Sequence, residues 1–375
     1  MNIGIDAKRA YCNYRGLGNY SRDTIRIMTT HFPEENFYLF TPQIRDIIVS
    51  ARQSNSTVIC PKGIYSHAPF SSLWRTSTIC KDIKHAKIDL YHGLSHELPY
   101  GIRKTGTKTV VTMHDVIFLK NPELFPFFDR HLFKKKYLHG CEVADRIVAI
   151  SQQTQSDLIE YIGVDADKID IVYQGCNPIF RQPIEEKVLE QVKKEYQLPS
   201  EYMLIVCAIE RRKNHELILK AMRNPKIELP LVIVGRGEEY KKELIEMAEK
   251  WKIGKRLIFL EAVKTEVLPA IYKLATLFIY PSLFEGFGIP ILEALTTGTP
   301  VITSKGSCFK ETGGEAALYV SCDDEEELSS TILQILENKN LQEKMIEDGY
   351  KHAQLFSDEA IARNLMNVYK KVLSC

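Results

Sequence analysis

The chain has 375 residues, 45% of them hydrophobic, and a formal net charge of +1. That length exceeds one typical core and suits two domains, and the balanced charge offers no global case for nucleic acid or a strongly acidic partner. No apolar run is long enough to span a bilayer, and nine scattered cysteines without a Cys-x-x-Cys pair predict reduced thiols in a cytoplasmic protein, with no disulfide framework and no zinc site.

Short apolar runs alternate with amphipathic stretches, the pattern of βα units and parallel sheets. Residues 1–6 read as a strand and not as a signal peptide, since no basic segment precedes the apolar run. In the first half the predicted strands are 2–5, 37–40, 56–59, 90–92, 109–113 and 146–150. In the second half they are 202–207, 231–234, 257–260, 277–280 and 300–303. Each set suffices for one Rossmann-like domain. A polar helix is expected near 185–196, with the boundary just before it, so the domains are predicted as 1–181 and 182–355. In the tail, 356–375, Ile361, Leu365, Val368 and Val372 fall on one helical stripe.

Several segments carry polar residues where such sheets bind ligands. Gly16-Leu17-Gly18-Asn19-Tyr20 follows the first strand, but Ser21 stands where a dinucleotide fingerprint needs its third glycine. His92 and His96 are four apart on a strand end followed by a loop, which is no helical metal pair. His114-Asp115 ends a predicted strand at the carboxyl edge of its sheet. Phe125-Pro126-Phe127-Phe128, followed by Arg130, His131, Lys134, Lys135 and Lys136, has two readings. One is a helix with a core stripe and a basic solvent face, and the other is an interfacial helix drawn to anionic lipid. Asp165-Ala166-Asp167 reads as a solvated turn.

The second half is more specific. Glu210-Arg211-Arg212-Lys213-Asn214 places cations at a helix start, which is unfavourable unless an anion sits between them. Pro281-Ser282-Leu283-Phe284-Glu285-Gly286-Phe287-Gly288-Ile289-Pro290 reads as strand end, glycine turn and helix start, with Pro290 in the first turn. Such a unit turns free N–H groups toward an anion. Glu285 and Glu293, eight apart, flank it with acceptors for hydroxyl groups. Phosphate and polyol recognition in one place points to a sugar nucleotide.

The run 285–304, EGFGIPILEALTTGTPVITS, resembles the Glu-x7-Glu region of glycosyltransferase family 4, the group 1 retaining glycosyltransferases. The resemblance implies two Rossmann-like domains facing each other across a cleft (the GT-B fold), with a C-terminal helix crossing back to the first. It implies a nucleoside diphosphate sugar as donor, bound by the second domain, and a glycan or lipid-linked acceptor on the first. Arg212 and Lys213 match the basic pair that holds the diphosphate. Glu285 and the loop Gly286-Phe287-Gly288-Ile289 match the sugar site, and Glu293 matches the ribose acceptor. Val263 lies where the base sits, although Glu261 replaces the usual glycine two residues before it. His114 matches a histidine near the donor sugar, and Gly16, Gly18 and Asn19 match the loop facing diphosphate and acceptor. His92 matches a residue lining the acceptor side. The implied catalytic set is His114, Glu285, Arg212 and Lys213, with no metal and no cofactor. Front-face transfer with retention is implied, the leaving phosphate oxygen taking the acceptor's proton. The sequence is most similar to mannosyltransferase-type members that build bacterial surface polysaccharides, so GDP-mannose is the first expected donor. The alternatives are a sugar-nucleotide isomerase of the 2-epimerase kind and a subunit that binds sugar nucleotide without catalysis.

Overall fold

The computed structural model describes residues 1–14, 16–44, 54–67, 70–122 and 126–374. The chain divides into two units: Met1–Gln174 joined by the C-terminal stretch from Ser357, and Gly175–Phe356.

The first unit is built on strands β1 (Asn2–Asp6), β2 (Asn36–Phe40), β3 (Ser56–Ile59), β4 (Leu90–Gly93), β5 (Lys108–Met113), β6 (Arg146–Ala149) and β7 (Ile169–Ile171). They form one sheet in the order β3-β2-β1-β4-β5-β6-β7. Every pairing is parallel, as in Ile3 opposite both Phe37 and Leu90. The run Thr109 to Met113 of β5 is buried residue after residue, because helices cover both faces of such a sheet. Strand order reverses between β1 and β4, and ligands of open α/β sheets bind beyond the carboxyl ends at that switch point.

The second unit has β8 (Met203–Val206), β9 (Leu231–Val234), β10 (Leu257–Leu260), β11 (Leu277–Tyr280), β12 (Val301–Ser304) and β13 (Ala317–Val320) in the order β10-β9-β8-β11-β12-β13. All of these pairings are parallel too, and the switch point lies between β8 and β11.

Two strands were not predicted. β7 has three residues with Asp170 in the middle, too short and polar for a strand pattern. β13 pairs only with β12, at the sheet edge. The crossover also falls earlier than residue 181. Cys176 and Phe180 are buried in the second unit, with Phe180 edge-on to Tyr272 at 5.7 Å and Cys176 Sγ 3.6 Å from Thr296 Oγ1. Their apolar side chains carry the connecting segment with them.

The tail forms the helix Asp358–Leu373, whose buried stripe includes Ile361, Leu365, Val368, Tyr369 and Val372. Ser357 caps it by accepting from the Ala360 N–H. Asp358, in the first turn where negative charge is favoured, binds Arg26 at 2.6 Å. This helix belongs to the first unit.

Candidate active site

In the second unit the loops after β8 and β11 are strapped together: the Leu283 N–H donates to Arg212 O at 2.9 Å. Four donors converge on Glu285 Oε1. They are Lys213 Nζ at 2.5 Å, Ser282 Oγ at 2.7 Å, Arg212 Nη1 at 2.9 Å and the Tyr280 hydroxyl at 3.0 Å. Oε2 keeps no protein partner among the described residues. Burial pushes the Glu285 carboxyl up, but Lys213 and Arg212 outweigh it and hold the group below its usual range. Arg212 also donates to Phe284 O at 2.7 Å and to Glu210 Oε1 at 2.7 Å. Arg211 turns away. Its guanidinium pairs with Glu243 at 2.5 Å, lies over the Tyr240 ring and is 66% exposed. Arg212, not Arg211, therefore shares the Glu285 site with Lys213.

Gly288 opens the helix Ile289–Thr297 at φ +91, a conformation that excludes a side chain of ordinary shape. Phe287 points the other way. Its ring is buried edge-on to Phe356 at 5.4 Å, so only its backbone can serve the loop. Glu293, on the second turn of the helix, accepts from the Tyr272 hydroxyl at 2.9 Å. Val263 is half-buried in the loop after β10. Glu261 is exposed, ion-paired with Lys241, and its carbonyl accepts from Arg236 Nε at 3.0 Å. A surface cavity between the loops after β9 and β10 is lined by Arg236, Gly237, Glu238, Lys241, Lys242, Ile245 and Glu261.

In the first unit the expected glycine turn is not a loop. A short helix, Lys8–Cys12, follows β1, and the helix Gly16–His31 already contains Gly16, Gly18 and Asn19. Gly18 is required by close approach, since a Cβ there would lie 1.8 Å from Asn13 O. Asn19 is exposed and accepts from Arg22 at 2.5 Å. Arg15 and Phe125 lie outside the described residues. His114 sits beyond β5 with its Nε2 2.9 Å from Leu94 O, edge-on to Tyr20 at 4.5 Å and to His96 at 5.0 Å. Burial pulls its pKa down to about 4, so the ring is neutral at pH 7. His92 is a correction. It is fully buried, with Nδ1 2.7 Å from the Tyr369 hydroxyl and Nε2 2.8 Å from Thr112 Oγ1. It ties β4 to β5 and the C-terminal helix and lines no surface.

A buried charge cluster at this switch point escaped the sequence reading. Arg75 donates to Asp6 at 2.6 Å and also binds Glu97, which accepts from Lys136 at 3.0 Å. The four residues come from distant segments, so no local pattern reveals them. Asp165 caps a short 3₁₀ turn on the surface, as a solvated turn should. Among the described residues no group of three or more His, Cys, Asp or Glu side chains could hold a metal ion. Among them, too, no helix is long and apolar enough to cross a membrane.

Two family models match, "Glycosyltransferase Family 4" over residues 28–179 and "Glycosyl transferases group 1" over residues 189–352. O-antigen chain mannosyltransferase B of Escherichia coli is 32% identical over 290 residues, covering 75% of this chain and 74% of that one. The chain belongs to glycosyltransferase family 4. It is accordingly a glycosyltransferase, and its two parallel α/β units are the GT-B architecture of that family. Solved structures agree on the fold. A glycosyltransferase from Rickettsia africae superposes with a TM-score of 0.78 over 99% of this chain and 98% of its own, at 18% identity. Anabaena HepE, in complex with UDP and glucose, gives 0.76 over 99% and 100%, at 16% identity.

Proposed function

We propose that this family 4 member transfers a hexose from a nucleoside diphosphate sugar to a hydroxyl of a glycan or lipid-linked acceptor, with retention, during surface polysaccharide assembly. Mannose from GDP-mannose is the donor to test first, since the relative named above is an O-antigen chain mannosyltransferase.

The observation that carries the reading is the Glu285 carboxylate. Its Oε1 is saturated by four donors and its Oε2 has no protein partner among the described residues, so the group is rigid and has one acceptor to offer a sugar hydroxyl. In this reading the backbone N–H groups of Gly286, Phe287, Gly288 and Ile289 help hold the sugar. Arg212 and Lys213 stabilise charge on the departing diphosphate. Preorganised cations in a largely buried site suit that task, because they need little reorganisation as charge develops. Glu293 accepts from ribose hydroxyls, and Val263 lies beside the base. His114, neutral and fixed by Leu94 O, lies near the sugar ring. Gly16 and Asn19, exposed in the first turn of their helix, face the substrates in this reading, and Gly18 lets that helix pack against Asn13 O. The leaving phosphate oxygen takes the acceptor's proton as the new glycosidic bond forms on the same face.

The helix Phe127–Val143 has a place in the same reading. Phe128 is 85% and Phe127 67% exposed, with Leu132 also exposed among Arg130, His131, Lys134 and Lys135. Aromatic side chains beside cations suit the inner, anionic face of a membrane, where a lipid-linked acceptor resides.

The test is a thermal-shift panel of GDP, UDP, ADP, TDP and CMP with their common sugar adducts, EDTA present throughout. A ligand that binds the folded chain raises its melting temperature by mass action. One base is expected to stand out, and transfer from its sugar adduct to persist in EDTA. No shift with any nucleotide would overturn the donor assignment. Activity lost in EDTA and restored by magnesium would overturn the role given to Arg212 and Lys213.

A further inference from the structure

Two buried tyrosines stand behind the two glutamates of the second unit's site. Tyr280 ends β11, and Tyr272 lies on the helix Leu268–Leu274. Their rings belong to one buried column. Tyr272 meets Phe278 at 5.2 Å, Phe278 stacks on Tyr280 at 5.9 Å, and Phe180 and Phe309 close the two ends edge-on at 5.7 and 6.5 Å. Two buried threonines fix the backbone of both tyrosines. Thr299 Oγ1 donates to Tyr272 O at 2.7 Å, and Thr303 Oγ1 donates to Tyr280 O at 2.8 Å. Close-packed rings have little room to move, so each phenol oxygen is a fixed point.

The donor directions are determined by chemistry. An ammonium only donates, so the Tyr280 hydroxyl accepts from Lys213 Nζ at 2.8 Å and spends its one hydrogen on Glu285 Oε1 at 3.0 Å. That phenol and that carboxylate are the hydrogen-bond partners of Lys213 Nζ among the described residues. The Tyr272 hydroxyl donates to Glu293 Oε2 at 2.9 Å. Burial, then the facing carboxylate, push both phenols well above their usual range, so each keeps its proton.

We propose that Tyr280 and Tyr272 are positioning residues for the transfer, a role that rests on the donor contacts proposed above for Glu285, Lys213 and Glu293. Tyr280 locks the Lys213 ammonium to Glu285, and Tyr272 aims Glu293. The two act at different stages. Lys213 meets charge that grows on the leaving diphosphate, so its placement matters most in the transition state. A ribose contact at Glu293 is the same before and during the reaction, so its placement acts on donor binding.

The test is steady-state kinetics of the full chain with GDP-mannose, turnover being read as release of nucleoside diphosphate. Tyr280→Phe and Tyr272→Phe keep the rings and remove only the hydroxyls. Tyr280→Phe is expected to lower kcat about tenfold, with KM for donor within about threefold of the parent. Tyr272→Phe is expected to raise that KM about fivefold, with kcat within about twofold. Adding Tyr280→Phe to Glu285→Gln should cost less than about threefold more, because the lock is already broken. Unmoved kinetics in both tyrosine variants, the same change of kcat and KM in both, or a full additional tenfold loss in the Glu285→Gln background would each overturn the proposal. Glu285→Gln and Glu293→Gln are measured in parallel. If neither alters turnover, the donor reading falls and takes this one with it. If both impair turnover while the tyrosine variants do not, only the positioning role falls.

Discussion

Replacing Glu285 with alanine removes the acceptor shared by four donors. Arg212 keeps Glu210 and Phe284 O, but Lys213, with its side chain 9% exposed, is left with the neutral Tyr280 hydroxyl as its remaining hydrogen-bond partner. Stranding one member of a buried pair costs about 3–5 kcal/mol, and the compensation at Arg212 puts this case near the lower end, about 3 kcal/mol. For a unit of this size that is a fall of roughly 6–12 °C in melting temperature. Lys213→Met in the same background removes the stranded charge, so the double variant should recover much of the loss. The assay is urea unfolding followed by Trp251 fluorescence in a Trp74→Phe background, because the chain's two tryptophans lie one in each unit. Losses that add to within about 0.5 kcal/mol would refute the coupling. The pH dependence has a definite sign. Glu285 titrates lower in the folded than in the unfolded chain, so its stabilisation is present at neutral pH and is lost as pH falls through the carboxylate range. Glu285→Gln should flatten that acid limb.

Other outcomes follow from the same geometry. Glu293→Ala should raise the KM for donor by about tenfold, near 1.4 kcal/mol, and lower the melting temperature by a few degrees because the buried Tyr272 hydroxyl loses its acceptor; an unaltered KM would remove Glu293 from the donor site. His92 and His114 titrate in the folded chain at about 3 and about 4, below the ~6.5 of an unfolded histidine. The unfolded state therefore binds protons first, and the first unit should lose up to about 1.4 kcal/mol per histidine per pH unit below ~6.5. Trp74 fluorescence in a Trp251→Phe chain reads this, and unfolding free energy constant from pH 7 to 5 would contradict it. Phe127→Asp/Phe128→Asp should abolish co-sedimentation with anionic vesicles and leave turnover of a water-soluble acceptor intact. Unchanged sedimentation would return this helix to an ordinary solvent face.

The second unit was more legible in sequence than the first, for a physical reason. Its site is assembled from two contiguous segments, 210–214 and 281–293, so each group's neighbours along the chain announce its setting. Family resemblance assigned Arg212, Lys213 and Glu285 to one donor site, but not their ion pairs, and Arg211 could not be separated from Arg212, because the turn that sends one to Glu243 and the other to Glu285 leaves no trace in residue type. In the first unit the relevant groups come from β1, the segment holding Arg75, the loop after β4 and the loop after β5. Only the fold brings Arg75 to Asp6 and Glu97. His92 misled for the related reason that a histidine at a strand end looks alike whether it faces solvent or, as here, bridges Thr112 and Tyr369.

Both switch points pair buried cations with carboxylates. In the second unit Arg212 and Lys213 are already neutralised by Glu285 and Glu210, so an incoming diphosphate competes with carboxylates for the same donors. That competition weakens binding of the diphosphate alone. It also makes the sugar valuable, because a sugar hydroxyl accepting nothing from the cations can still donate to Glu285 Oε2 while phosphate oxygens share Arg212 and Lys213. A donor presenting both groups should therefore gain more from this site than either part does separately. In the first unit Asp6 and Glu97 hold Arg75 and Lys136 in the same way. In the proposed reading the second unit should therefore favour an intact sugar nucleotide, and GDP alone should bind more weakly than GDP-sugar for a reason located at a single carboxylate.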